Sequence, residues 1–455
     1  MSLYLYELPT TGAISFSEFC SDTTPDNAHT IHLSDTTQTR ANLRGILKET
    51  KRTQDDDKDY LRLVKVLDEY LPKLRGIIVC VAGKEMELKS EPTFSWRTTL
   101  SANLFKTSPR LSIPSLHGEH AYSLLTYAYA LSNLAKAKTT ALGNYEHDRG
   151  ISDADRKAKD NQLTVSADLL CRASGVFSYI STTVLIEWEN AHVASAGDLT
   201  KPPDLTQEVN SALAKLSLAD AQTLAIRKLL SRSIYDSYVA PGPPLPKSHP
   251  SPALISKLHL ECSSLYGSAL TLSKTLGSTS KSRFKPSDEV SSDLRRYLTD
   301  EAAFHNAMAH KWLGIDAGEN GGTDRGGEAV ALLAWAKKDL EELKSRRKDR
   351  VIEELAGVNV FLKHYKKVND SVSHPPLMTS IRSSASKLHF QPVPTQSELQ
   401  VRIPAGRLVL SPKPFQAPQP AFGPGSIDGI RRQTGELEVD DGPASASYAG
   451  AGSYF

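Results

Sequence analysis

The sequence predicts a mainly α-helical protein, an irregular tetratricopeptide-like solenoid of helices with a small β element at its N-terminus. From about residue 34 to about 370, apolar residues recur at helical steps almost throughout. Small residues inside those stretches, among them Ala128, Ala130, Gly175 and Gly267, suit close helix–helix approach. No clean repeat of ~34 residues is present, so the stack is irregular rather than a periodic array. The chain of 455 residues is 39% hydrophobic and 23% charged, long enough for one large core or several ordinary domains. A formal net charge of +2 gives no reason to expect nucleic acid as a partner.

The elements follow in order. LYLYELP (3–9) alternates and carries aromatics, which predicts a short strand, and CSDTTPDNAH (20–29) reads as a polar turn region. A helix is expected from Asp59 to Val81, with Leu63, Val66, Leu67, Tyr70 and Leu71 on one face and Pro72 as a kink or break. Residues 117–138 place Ala121, Leu124, Ala128 and Leu131 at steps of three and four. Residues 161–188 carry Leu169, Leu170, Ala173, Phe177, Ile180 and Val184, and 204–238 carry Val209, Leu213, Leu216, Leu224 and Leu230. VAPGPPLPKSHPSP interrupts the pattern, and a new helix starts at Pro252, with Ser251 as its N-cap. The last helical patterns are 287–313 and 328–367. From 371 the chain is rich in Ser and Pro, and 408–455 is expected to be a disordered Pro/Gly/Ser-rich tail.

The motifs that would signal chemistry are weak. GENGGTDRGG (318–327) holds five glycines but no Lys-Ser/Thr step and follows a helical run, so it reads as a helix C-cap and wide turn, with Gly321 and Gly322 free to take positive φ. The nearest metal candidate is His117-x-x-His120, which has no partnered donors nearby in the sequence, and His305 and His310 fall on different faces of their helix. No metal site and no cofactor are expected. There is no G-x-S-x-G, and Cys20, Cys80, Cys171 and Cys262 are scattered, so no enzyme is expected and the thiols read as buried in a reducing compartment. No stretch approaches ~18 consecutive apolar residues and no signal-peptide pattern opens the chain, which predicts a cytoplasmic protein. The basic run 337–350 alternates with acidic residues as on a solvated helix, while Lys337 and Lys338 are placed to flank a groove that takes an acidic helix.

Several segments resemble the Bro-one domain family. EPTFSWRTTL (91–100), LHGEHAYSLLTYAYALSNLA (116–135), LLCRASGVFSYI (169–180) and SLADAQTLAIRKLL (217–230) are similar to its helices and the loop before them. KVNDSVSHPP with FQPVPTQSELQVRIPAGR (390–407) is similar to its closing segment, so the resemblance covers 1–407, with a wrapping segment over 371–407. It implies a boomerang-shaped domain that binds the C-terminal amphipathic helix of the ESCRT-III core subunit (Snf-seven type). WLGIDAGENGG and the PAGR…KPF ending resemble the branch that serves fungal alkaline-pH signalling. That branch implies a non-enzymatic scaffold working with the pH-sensor complex, PalA and the protease PalB, which processes the transcription factor PacC. Such a scaffold is recruited peripherally to plasma-membrane or endosomal ESCRT-III sites. The alternative within the family is a general endosomal adaptor in multivesicular body sorting. Carried over by position, the partner-binding residues are Ala212, Leu213, Leu216 and Ala219 from one helix and Leu333, Trp335, Lys337 and Leu340 from another. Asp168 stands near the position of a family lysine that touches the ligand.

Overall fold

The computed structural model describes residues 3–54, 57–101, 110–193, 201–239, 242–279, 290–344, 348–372 and 392–432. The helical periodicity is realised as a sequential stack. Its main helices are α2 (Thr30–Arg52), α3 (Tyr60–Ala82), α4 (Leu116–Ala141), α5 (Asp153–Tyr179) with α6 (Leu185–Val193), α7 (Gln207–Val239), α8 (Pro252–Thr279), α9 (Ser292–Asn320), α10 (Gly326–Leu343) and α11 (Lys348–Val372). Each packs mainly on its neighbours in that order, α7 passing over α6 to lie on α5. This nearest-neighbour packing is the solenoid that the sequence predicts. Short elements complete the chain: α1 (Phe16–Phe19), α12 (Gln396–Gln400), and two hairpin-like ladders. Asp59 caps α3 by accepting from Arg62 N–H at 2.9 Å, and Pro72 lies inside that helix without ending it. The α5–α6 run is apolar and long enough to cross a membrane, but 67% of its most apolar window is buried against the protein, as in a core helix.

The β element is not where alternation placed it. Strands β1 (Cys20–Asp22) and β2 (Met86–Leu88) pair antiparallel, as do β3 (Thr93–Arg97) and β4 (Arg110–Pro114). Residues 3–10 run extended outside any ladder, and Asn133 stands in for a neighbouring strand. Its Oδ1 accepts from Tyr6 N–H at 2.9 Å and its Nδ2 donates to the Tyr6 carbonyl at 2.8 Å. Tyr6 stacks on Tyr129 at 4.5 Å, so the aromatics that suggested a strand instead seat the segment on the helical core.

The glycine-rich connector is tighter than a wide turn. α9 continues through Gly318 to Asn320, where Gly318 lies so close under the Tyr365 ring that a Cβ would sit 2.4 Å from it. Gly321 ends the helix at φ −89°, and only Gly322 of that pair takes positive φ (58°). The pattern expected as one helix over 328–367 divides into α10 and α11. Arg350, at the end of the basic run, is not solvated: it donates to Glu301 Oε2 at 2.9 Å and lies over the Phe304 ring. Residues 345–347 of that run lie outside the described residues.

The expected tail is the largest correction. Residues 408–432 are a packed strap, so the chain beyond the expected boundary at 407 continues along the stack. Backbone donors tie it down along the stack: Arg407 N–H to Lys257 O, Lys413 N–H to Cys171 O, and Ala421 N–H to Pro72 O, at 2.9–3.0 Å. Phe415 packs beside Tyr127 and Tyr179, and Phe422 is 4% exposed. A Pro- and Gly-rich composition disfavours helix and ladder, yet it suits an extended strap whose groups are satisfied by the surface beneath it. Residues 373–391 of the closing segment and 433–455 of the tail lie outside the described residues.

A buried carboxyl sits where the helices converge. Asp220 of α7 accepts from Tyr266 OH (2.5 Å) and Tyr297 OH (2.8 Å) and is 2% exposed. Burial pushes its pKa up to about 7, the tyrosine hydrogen bonds opposing this and Glu301 adding to it. An acid raised in the folded state stabilises fully below its unfolded value, ~3.9, and loses that contribution as pH rises through its folded value. Chemical denaturation of the whole chain should therefore show stability falling from pH ~4 to ~7 by up to about 1.4 kcal/mol per unit from this group. Asp220→Asn should flatten that slope. An unchanged slope would mean Asp220 is ionised in the folded core.

Candidate functional site

An open groove runs between α5, α7, the start of α8 and the strap, with a volume of about 550 Å³. Its floor comes from positions one and two helical turns apart. α5 contributes Asp160, Leu163, Thr164 and Ala167, and α7 contributes Leu224, Ala225, Lys228 and Leu229. Leu254 and Leu258 of α8 line one side, and Arg407, Val409 and Leu410 of the strap line the other. Leu229 and Val409 are both 43% exposed. Large apolar side chains so exposed and so close together mark a surface that has a use. Lys228 donates to Thr164 Oγ1 at 2.8 Å across the floor. At one end Asp160 is held by Arg156, Ser231 and Tyr145, while exposed Arg232 and buried Arg156 both reach Asp153, whose carboxyl Arg156 and Lys157 hold well below the usual range. The result is an apolar trough edged by Lys228, Arg232 and Arg407.

Gln222 holds the strap to this groove. Its Nε2 donates to the carbonyls of Leu258 (3.0 Å) and Arg407 (3.1 Å), and its Oε1 accepts from Val409 N–H at 3.1 Å. The side chain thus presents a strand-like edge to an extended segment that has no ladder of its own. Gly175 makes the next passage possible: a Cβ there would lie 1.7 Å from the Lys413 carbonyl oxygen. In an ordinary helix interior Gly→Ala stabilises by about 1 kcal/mol. Gly175→Ala should instead destabilise, because backbone cannot yield as a side chain does. Amide exchange read by mass spectrometry should show the strap around Lys413 losing protection, and a more stable protein with an unchanged strap would refute this packing.

The residues nominated from sequence lie elsewhere. Ala212, Leu213, Leu216 and Ala219 on α7, with Leu333 and Leu340 on α10, are at most 1% exposed and belong to the core. These six pack in the core, and none of them lines the groove. Trp335 stacks on His310 with ring centroids 3.9 Å apart and packs beside Leu399 and Ile403 of the closing segment. Lys337 is half-exposed and lies 3.8 Å from Glu341. Neither lines the groove, nor does Lys338. Asp168 forms an ion pair with Lys413, so it anchors the strap. The nominated positions on α7 precede its groove face, which begins at Leu224. The signal was available in SLADAQTLAIRKLL, where Leu229 interrupts the polar face.

His120 is buried, with a pKa pushed down to about 3 by that burial, and is not part of a donor cluster among the described residues. The donors that do meet are His29, Cys80 and Glu85, whose ligand atoms all lie within 4.8 Å of one another. They come from three separate elements, and no local spacing announces them.

A sequential helical stack closed by a C-terminal strap is the architecture of one domain family. Residues 21–418 match the BRO1-like domain, and the chain belongs to that family. Over 100% of both chains it is 36% identical to the pH-response regulator protein palC of Cryptococcus neoformans var. neoformans serotype D (strain B-3501A). Among solved structures, ALIX in complex with the SIVmac239 PYKEVTEDL late domain superposes with a TM-score of 0.61 at 17% identity. That match covers 97% of this chain and 54% of ALIX, so this chain spans about half the length of that protein. The ALIX BRO1 CHMP4C complex superposes with a TM-score of 0.57 at 18% identity, covering 91% of this chain and 96% of that one. At these identities the solved structures speak for the fold.

Proposed function

We propose that this chain is a non-catalytic adaptor of the fungal pH-response pathway that receives an amphipathic helix in the groove between α5 and α7. The observation that carries the reading is the groove itself: exposed Leu229 and Val409 over an apolar floor, edged by Lys228, Arg232 and Arg407. A helix with apolar anchors at i, i+3, i+4 and i+7 and acidic flanks fits this chemistry. Full-length likeness to a pH-response regulator supports the pathway, and a family neighbour solved with CHMP4C supports an ESCRT-III subunit as the source of the helix. In this reading the C-terminal helix of the ESCRT-III core subunit docks here, and the adaptor is thereby recruited peripherally to membranes. PalA and PalB, acting on PacC, are the downstream partners.

Calorimetric titration of the full chain with a peptide of that C-terminal helix tests the proposal. Binding in the micromolar range, weakening as salt rises, is expected of a shallow, charge-edged groove. A well-folded chain that does not bind the peptide would sink it.

A further inference from the structure

The His29–Cys80–Glu85 cluster is built from the bottom up by three unrelated backbone events. His29 is the N-cap residue of α2, and Cys80 sits in the last turn of α3. Glu85 follows the tight turn at Gly83 and Lys84 (φ 60°), where its N–H donates to the Cys80 carbonyl at 2.9 Å. The Glu85 Oε2 lies 2.7 Å from His29 Nε2 and 3.8 Å from Cys80 Sγ. His29 is 1% exposed and Cys80 0%. The second ring nitrogen of His29, Nδ1, is buried without a hydrogen-bond partner among the described residues.

The strap roofs this cluster. Phe422 stacks on His32 at 4.4 Å and presses on Gly76, where a Cβ would be 2.7 Å away. Gly423, at φ 78°, lies directly over Cys80: a Cβ there would be 2.1 Å from the sulfur. A cavity of about 400 Å³ opens beside the cluster, lined by His29, His32 and Glu85 together with Phe422 and Ser426.

We propose that His29, Cys80 and Glu85 are a binding site for a divalent transition ion of borderline softness, with Zn²⁺ as the first candidate. One nitrogen, one sulfur and one carboxylate oxygen form the donor set that suits this ion in tetrahedral coordination. Three protein ligands would leave a fourth position for water, and two of them, His29 and Glu85, line the adjacent cavity. The alternative is a hydrogen-bonded chain in which the thiol and the imidazole share one carboxylate. His29 Nδ1 is without a partner in both arrangements, so what favours the metal is the convergence of a nitrogen, a sulfur and a carboxylate oxygen within 4.8 Å of one another at a buried position. The inference is independent of the groove and its ligand.

The test is a titration of the chelator-treated full chain with Co²⁺, read by absorption, followed by displacement with Zn²⁺. One equivalent should bind with a thiolate-to-cobalt charge-transfer band, and Zn²⁺ should abolish that band. Cys80→Ser should remove the band, and Glu85→Gln should weaken binding by at least about tenfold, the scale seen on losing even an outer-sphere partner. Glu85 is 35% exposed at its side chain, so the second variant serves if the first fails to fold. Absence of saturable binding with Co²⁺ in excess would overturn the proposal. A band that survives Cys80→Ser, or an affinity unmoved by Glu85→Gln, would overturn it equally.

Discussion

Leu229→Asp should weaken the docking of the ESCRT-III helix at least tenfold while leaving the fold intact. Leu229 is 43% exposed, so the folded state gains little by burying it, and a surface change of this kind shifts stability by about 0.5 kcal/mol or less. In the proposed complex the same side chain would be covered by the helix, because it lines the groove. A desolvated central anchor contributes about 2 kcal/mol or more, and a carboxylate in its place also repels an acid-flanked ligand. Leu216→Asp makes the contrast. That side chain is 1% exposed, and an unpaired carboxylate there costs several kcal/mol of folding, so a loss of binding would report unfolding. Calorimetry on both variants, with circular dichroism as the control for folding, separates the two. Wild-type affinity in Leu229→Asp would remove the groove as the binding site.

That contrast shows which part of the molecule was legible. Helices announce themselves through their buried faces, and Leu213, Leu216 and Leu224 were read correctly as one stripe. Apolar periodicity serves both core and docking faces, and the sequence alone does not tell them apart. The strongest stripe is core, because core positions must be apolar at every turn. The pattern that lines the groove is weaker and mixed, Ala225, Lys228 and Leu229, and only packing shows that it is open. The strap was illegible for another reason. Its order comes from partners far away in sequence, such as Gln222 for Val409 and Gly175 for Lys413, and nothing within SPKPFQAPQPAFG states that they exist. The glycine connector lay between these extremes. A break between helices was readable, but the extension of α9 through Gly318 depends on the Tyr365 ring above it.

Glu119→Ala should be among the most destabilising single changes in the chain, at about 4 kcal/mol. Glu119 of α4 is 0% exposed and accepts four hydrogen bonds: from Arg40 Nε (2.8 Å) and Nη2 (3.3 Å), Tyr70 OH (2.9 Å) and Trp96 Nε1 (2.6 Å). Arg40 also donates to the Gly12 carbonyl at 2.8 Å and Thr11 Oγ1 at 2.7 Å. One carboxylate therefore joins α2, α3, α4, β3 and the N-terminal segment. Its removal leaves a buried guanidinium without a counter-charge and two aromatic donors without an acceptor, and these losses compound. Glu119→Gln is no remedy, since every neighbour points a donor at the site and the amide NH₂ would meet them without an acceptor. The cost is a large share of a total stability of roughly 5–15 kcal/mol. If the network acts as described, Arg40→Ala and Glu119→Ala combined should destabilise by less than the sum of the two, because the first removal already orphans the second group. Denaturant unfolding of the wild type, both singles and the double measures this coupling. Strict additivity, or a Glu119→Ala loss below about 1 kcal/mol, would show that water already satisfies these groups and that the network does not hold the N-terminal elements to the stack.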